Sequence, residues 1–243
     1  MNKQPHICVD STQVSEKVIV CGEPDRVNRI ASLLEDSVLV AENREYRLIN
    51  GTYKGQKFTI CSTGIGAPSM IIALEELRSC GAKYIIRVGS AGALQPNIAL
   101  GDLILVEAAV RNEGGSKAYV SSEYPAISDI DIIISLRKNL SSTGHRFHSG
   151  IIRSNDSFYT DEENDICRYW NNKGVLGADM ETSALLTVGR LRGLKVASIL
   201  NNVVLYEQDV KEGINEYVDS NDSMMKGEVA GFKAALNALS EQS

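Results

Sequence analysis

The chain carries no excess of positive charge: 25 Lys and Arg stand against 31 Asp and Glu, a net charge of −6. This excludes a general nucleic-acid surface or an anionic membrane as partner, so any anion site must be a local cluster of cations in an acidic protein. Paired cysteine spacing is also absent. Cys8, Cys21, Cys61, Cys80 and Cys167 are odd in number and widely scattered, which argues against a metal site and reads as reduced thiols of a cytoplasmic protein. No apolar run approaches the length of a bilayer, and the first residues show no apolar signal core. The first glycine turn, Gly22-Glu23-Pro24, lacks the G-x-G-x-x-G spacing of a dinucleotide fingerprint. His145 and His148 have no carboxylate or cysteine cluster beside them and read as surface loop residues. Repeats, low-complexity tracts and linkers are missing too, so residues 1–243 are assigned to one domain.

What is present is a soluble globular composition, 43% hydrophobic and 23% charged. After a polar arm over residues 1–15, apolar strands alternate with helical patterns. Lys17–Cys21, Phe58–Ser62, Tyr84–Val88, Leu103–Val106, Ser149–Ser154, Val175–Met180 and Lys195–Val204 read as strands. Helical spacing covers Arg26–Leu34, Met70–Cys80, Ile130–Leu140, Glu181–Arg192 and Met224–Leu239, while residues 111–124 and 155–165 read as loop. This order predicts an α/β fold, a central mixed, largely parallel sheet flanked by helices, with the site at strand C-terminal ends.

The run Tyr84-Ile85-Ile86-Arg87-Val88-Gly89-Ser90-Ala91-Gly92 is the most informative stretch. An arginine inside a buried strand is costly unless an anion or carboxylate meets it. The glycines beyond it let backbone N–H groups close on a ligand, and Ser90 adds a hydroxyl. An internal Arg–carboxylate pair beside an ordinary turn fits these residues equally. Arg26 and Arg44 are further candidate phosphate donors, and Gly22 brackets the same region. Asp179-Met180-Glu181 offers a thioether to pack under a sugar and a carboxylate to accept from a ribose diol, though acidic residues also suit a helix N-terminus.

Together these segments resemble the nucleoside phosphorylase family of uridine phosphorylases and hexameric purine nucleoside phosphorylases. Gly22-Glu23-Pro24-Asp25-Arg26 is similar to its GDPxR turn, Asn43-Arg44-Glu45-Tyr46 to its NREY segment, and residues 62–69 with Glu75-Glu76-Leu77 to its STGIGxPS…EEL segment. Arg87–Gly92, Ser154–Tyr159 and Asp179–Glu181 resemble its RxG(S/T)xG, SSDxFY and E/D-M-E segments. The resemblance implies phosphorolysis of a nucleoside to free base and ribose 1-phosphate, without a cofactor and with phosphate as co-substrate. It also implies catalytic roles for Arg87 and Glu181, and phosphate binding by Gly22, Arg26, Arg87 and Ser90, with Arg44 from a neighbouring subunit. Ribose would meet Met180, Glu181 and a neighbour's His6. Glu45, Ile65 and Ser69 match positions that bind K+ between subunits, and the assembly implied is a homohexamer built from dimers.

For the base, the matching positions are Phe158, Glu162, Asn164 and Val203. Val203 stands where hexameric purine enzymes have a general acid, so it resembles the uridine enzymes. Glu162 and Asn164 replace the Gln-x-Arg pair with which those enzymes read uracil. The reading adopted is uridine-like. Purine phosphorolysis and a nucleoside-binding relative with altered or lost turnover are the alternatives. A hydrolase of this fold would need no arginine cluster.

Overall fold

The computed structural model describes residues 3–208 and 222–242. In chain order the elements are β1 (Lys17–Cys21), α1 (Pro24–Ala31), β2 (Glu35–Asn43), β3 (Tyr46–Tyr53), β4 (Gln56–Ser62), α2 (Ala67–Ser79), β5 (Tyr84–Ala93), β6 (Leu103–Asn112), β7 (Ala126–Ile127), α3 (Ile130–Thr143), β8 (Phe147–Asn155), α4 (Glu163–Asn171), β9 (Gly177–Asp179), α5 (Thr182–Leu191), β10 (Lys195–Val204) and α6 (Asp222–Ser240). The strands join one mixed sheet in the order β10-β6-β8-β9-β5-β1-β4-β3-β2, with β7 on β6. Because β10 also pairs with β5, the strands β5, β9, β8, β6 and β10 close into a ring, and β1, β4, β3 and β2 extend from it as an open wing.

Alternation along β5 explains why it is apolar on both faces. Ile85 enters the core shared with α2 and α5, whereas Ile86 and Val88 enter the one shared with α1, α3 and α6. Helix ends follow local chemistry. The Asp129 carboxylate accepts from the Asp131 and Ile132 N–H groups to start α3, and left-handed Gly144 ends it. α6 lies so close to the sheet that a Cβ on Gly227 would come within 2.3 Å of both Asn201 Oδ1 and the Gly101 carbonyl. Gly227→Ala should therefore cost about 3 kcal/mol, read as a melting temperature lower by roughly 6–12 °C.

Several local readings change. The helix read over Arg26–Leu34 is α1, which begins two residues earlier, at Pro24, and ends at Ala31. β6 continues through Asn112 into the stretch read as loop, and α4 starts at Glu163 inside the polar segment. The arm is tied down: Ile7 and Val9 are buried, and Glu76 accepts from the backbone N–H of His6 and Ile7. His148 belongs to β8 and its ring meets Asp102 Oδ2 at 3.0 Å, so it is not a loop residue.

Candidate active site

The loop after β4 docks on the end of β1, with the Thr63 and Gly64 N–H groups donating to the Cys21 and Gly22 carbonyls. This places the Gly22 turn beside Gly66, where α2 begins. The Gly66 N–H donates to Glu181 Oε1 at 2.6 Å. From the next strand, Arg87 reaches the same carboxylate: its Nη2 donates to Glu181 Oε2 at 2.5 Å and its Nε to Asp179 Oδ2 at 3.1 Å. Asp179 is held in turn by Ser154 and Thr182 hydroxyls, each at 2.6 Å. The third guanidinium nitrogen, Nη1, is buried and has no acceptor among the described residues. Arg87 thus meets internal carboxylates and still keeps one donor for a further anion.

Burial pushes the Glu181 carboxyl above its ordinary range; Arg87 pulls it down and the Asp179 charge pushes it up again. Burial drives the Cys21 thiol up to about 12, although Arg26 and Arg87 both pull it down. Arg26 Nε donates to Glu228 Oε2 at 3.0 Å, and Arg29 clamps the other side of that carboxylate at 2.5 Å. Ser90, half-buried, lies opposite Asn201 of β10. The structure therefore gathers Gly22, Arg26, Arg87, Ser90, Met180 and Glu181 around the C-terminal ends of β1, β5 and β9.

Arg44 and His6 are placed elsewhere. Arg44 is exposed in the β2–β3 turn with a positive φ of 54°. His6 is fixed nearby: its carbonyl accepts from Asn43 Nδ2 at 2.8 Å and its ring meets Glu76 Oε1 at 2.6 Å. The two residues expected from a neighbour thus lie together beside the β2–β3 turn. Glu45, Ile65 and Ser69 lie near that turn as well. Ser69 Oγ donates to the Ile65 carbonyl at 2.9 Å, and a Cβ on left-handed Gly64 would sit 2.6 Å from Glu45 Cγ and 3.3 Å from Ser69 Oγ. Phe158 is 38% exposed and packs edge-on against Tyr159. Glu162 and Asn164 are exposed at the start of α4. Val203 is buried with Val204 and Met224.

Sequence reasoning missed three contributors. Asp179 was legible only as part of an acidic triplet. The Gly66 N–H carries no side-chain signal. Glu228 had one: it falls on the apolar stripe of α6 beside Met224, Gly231 and Phe232, where a carboxylate needs a cationic partner. Glu228→Gln should weaken the hold on Arg26, raising the KM for phosphate roughly tenfold with little change in kcat, as steady-state kinetics would show.

The family model of the phosphorylase superfamily matches residues 16–208. A guanosine phosphorylase of Halorubrum lacusprofundi is 39% identical over 224 residues, spanning 92% of this chain and 91% of the relative. A solved uridine phosphorylase of Vibrio fischeri superposes with a TM-score of 0.94 at 62% identity, covering 100% of this chain and 99% of the other. A purine nucleoside phosphorylase of Toxoplasma gondii, in complex with immucillin-H, gives 0.88 at 30% identity, with 98% and 96% covered.

Proposed function

Because the chain belongs to the phosphorylase superfamily, we propose that it is a pentosyltransferase that cleaves a nucleoside with phosphate, giving free base and ribose 1-phosphate. The observation that carries this reading is the buried Nη1 of Arg87, which meets no acceptor among the described residues. Two carboxylates fix the guanidinium plane and leave one donor for a phosphate oxygen. Arg26, with Arg44 of a second copy, completes the set of cations. Phosphate itself is the nucleophile. Held beneath the ribose, it attacks C1′ without a side-chain nucleophile.

As the glycosidic bond lengthens, positive charge grows on the ribose, and the carboxylate of Glu181 stabilises it while accepting from the ribose hydroxyls. Its orientation is set beforehand by Arg87 and the Gly66 N–H. Met180 and a second copy's His6 flank the sugar. Shared sites of this kind make the active protein a homo-oligomer, a homohexamer built from dimers in our reading. Glu45, Ile65 and Ser69 supply a carboxylate, a carbonyl and a hydroxyl, the all-oxygen set that suits a hard cation such as K+. The free thiols of all five cysteines support a cytoplasmic location.

For the base we infer uridine, supported by the 62% identical uridine phosphorylase structure and by apolar Val203. Guanosine is the second reading, favoured by the guanosine phosphorylase relative. Phe158, Glu162 and Asn164 would border the base. Purified protein incubated with uridine, thymidine, inosine, guanosine and adenosine, with and without phosphate, tests both. Uridine should turn over fastest; turnover of guanosine or inosine but not uridine would reverse the base assignment.

A further inference from the structure

Arg153 is buried in β8 at 6% exposure and, among the described residues, has a single hydrogen-bond partner. Arg26 and Arg87 have carboxylate partners, and Arg111 donates to the Ser116 hydroxyl and to four carbonyl groups. Arg153 Nε donates to Asn112 Oδ1 at 2.8 Å, while its Nη1 is buried without an acceptor. Among the described residues no carboxylate stands within ion-pair distance of it. A buried cation left in this state is costly unless a ligand acceptor meets it. Burial lowers its pKa, while Glu163 of α4 opposes that shift through space.

Strand register shows where it faces. Arg153 pairs laterally with Ala178 of β9, Ala178 with Gly92 of β5, and Gly92 with Val204 of β10. Laterally paired residues point to one face of a sheet, and so do residues two apart along a strand. Ser90, given above to phosphate, therefore shares the face of Arg153, and Met180, given to ribose, follows directly on the end of β9. That face has room at its centre, since among the described residues a Cβ on Gly92 would meet only Val204 Cβ, at 3.7 Å. The segment from Phe158 to Cys167, whose Glu163 and Cys167 both act on Arg153 through space, contains no Lys or Arg and four acidic residues.

We propose that Arg153 reads the base, its guanidinium donating to a carbonyl oxygen of a keto base such as uracil or guanine. The proposal rests on the phosphorolytic reading. A phosphate oxygen bonds to C1′, the C1′–N bond breaks with its electron pair going to the base nitrogen, and the proton of the phosphate monoanion or dianion reprotonates that nitrogen. While the base carries negative charge, its carbonyl oxygens hold much of it, and Arg153 stabilises it there. Adenine offers no carbonyl, so adenosine is a poor substrate.

The test compares wild type, Arg153→Gln and Arg153→Lys on uridine, guanosine and adenosine at varied phosphate. Arg153→Gln should lower kcat/KM for the keto nucleosides about tenfold to hundredfold, with the KM for phosphate unchanged; Arg153→Lys should recover part of the loss. A measurement on wild type alone guards against a variant that fails to fold: free uracil or guanine should inhibit competitively and adenine should not. Folded Arg153→Gln with unchanged kcat/KM, or equal inhibition by adenine, would overturn the role of Arg153 alone. Wild type that cleaves none of these nucleosides would sink the phosphorolytic reading and this assignment with it.

Discussion

Arg87→Lys should fold and bind nucleoside yet lose about 10²–10³ in kcat/KM for phosphate, because an ammonium cannot hold Asp179, Glu181 and a phosphate oxygen at once. Arg87→Ala should lose as much activity and also stability. It would leave two buried carboxylates without their cation, a change of about 3–5 kcal/mol, or a melting temperature lower by roughly 10 °C. The two variants separate chemistry from folding. Steady-state kinetics at varied phosphate, paired with thermal denaturation, reads both. Unchanged phosphate kinetics in Arg87→Lys would remove Arg87 from the phosphate site.

Glu181→Gln should lower kcat by about 10²–10³ with a small effect on the KM for phosphate, since the carboxylate acts on the sugar as charge develops. The wild-type pH profile should carry the mark of this group. Burial raises its pKa, and only the ionised form stabilises the oxocarbenium-like ribose, so activity should fall with pH at values above the ~4.3 of an ordinary glutamate. For folding the sign is opposite. A carboxyl raised in the folded state contributes stability fully below its unfolded pKa, and that contribution is lost as pH rises through the raised value. Glu181→Gln, neutral throughout, should flatten this part of the stability curve. An acid limb that survived unchanged in Glu181→Gln would show that another group titrates there.

Much of this was legible because the informative residues are costly where they stand. An arginine within the run Tyr84–Val88 demands an anionic partner, and the structure supplies two carboxylates while leaving one nitrogen over. The alternation of strands and helices followed from apolar period. What escaped has physical reasons. α4 has no buried residue, so it shows no apolar stripe to mark it as a helix. Closure of the ring rests on β10 pairing with β5, over 100 residues away in sequence, with Lys195 opposite Tyr84, and no local pattern records such a contact. The β6 extension hid behind polar Arg111 and Asn112, which β8 pairing holds in strand form. Glu228 and Arg153 carry meaning only through what surrounds them. Each is a charged side chain on a buried face, and the sequence pattern alone does not say which partner it meets.

The most direct test of the central claim follows phosphate itself. Phosphorus NMR during uridine cleavage by the purified protein should show ribose 1-phosphate appearing in step with released uracil, and no cleavage in phosphate-free buffer. Uracil released at the same rate without phosphate, together with free ribose, would contradict the account.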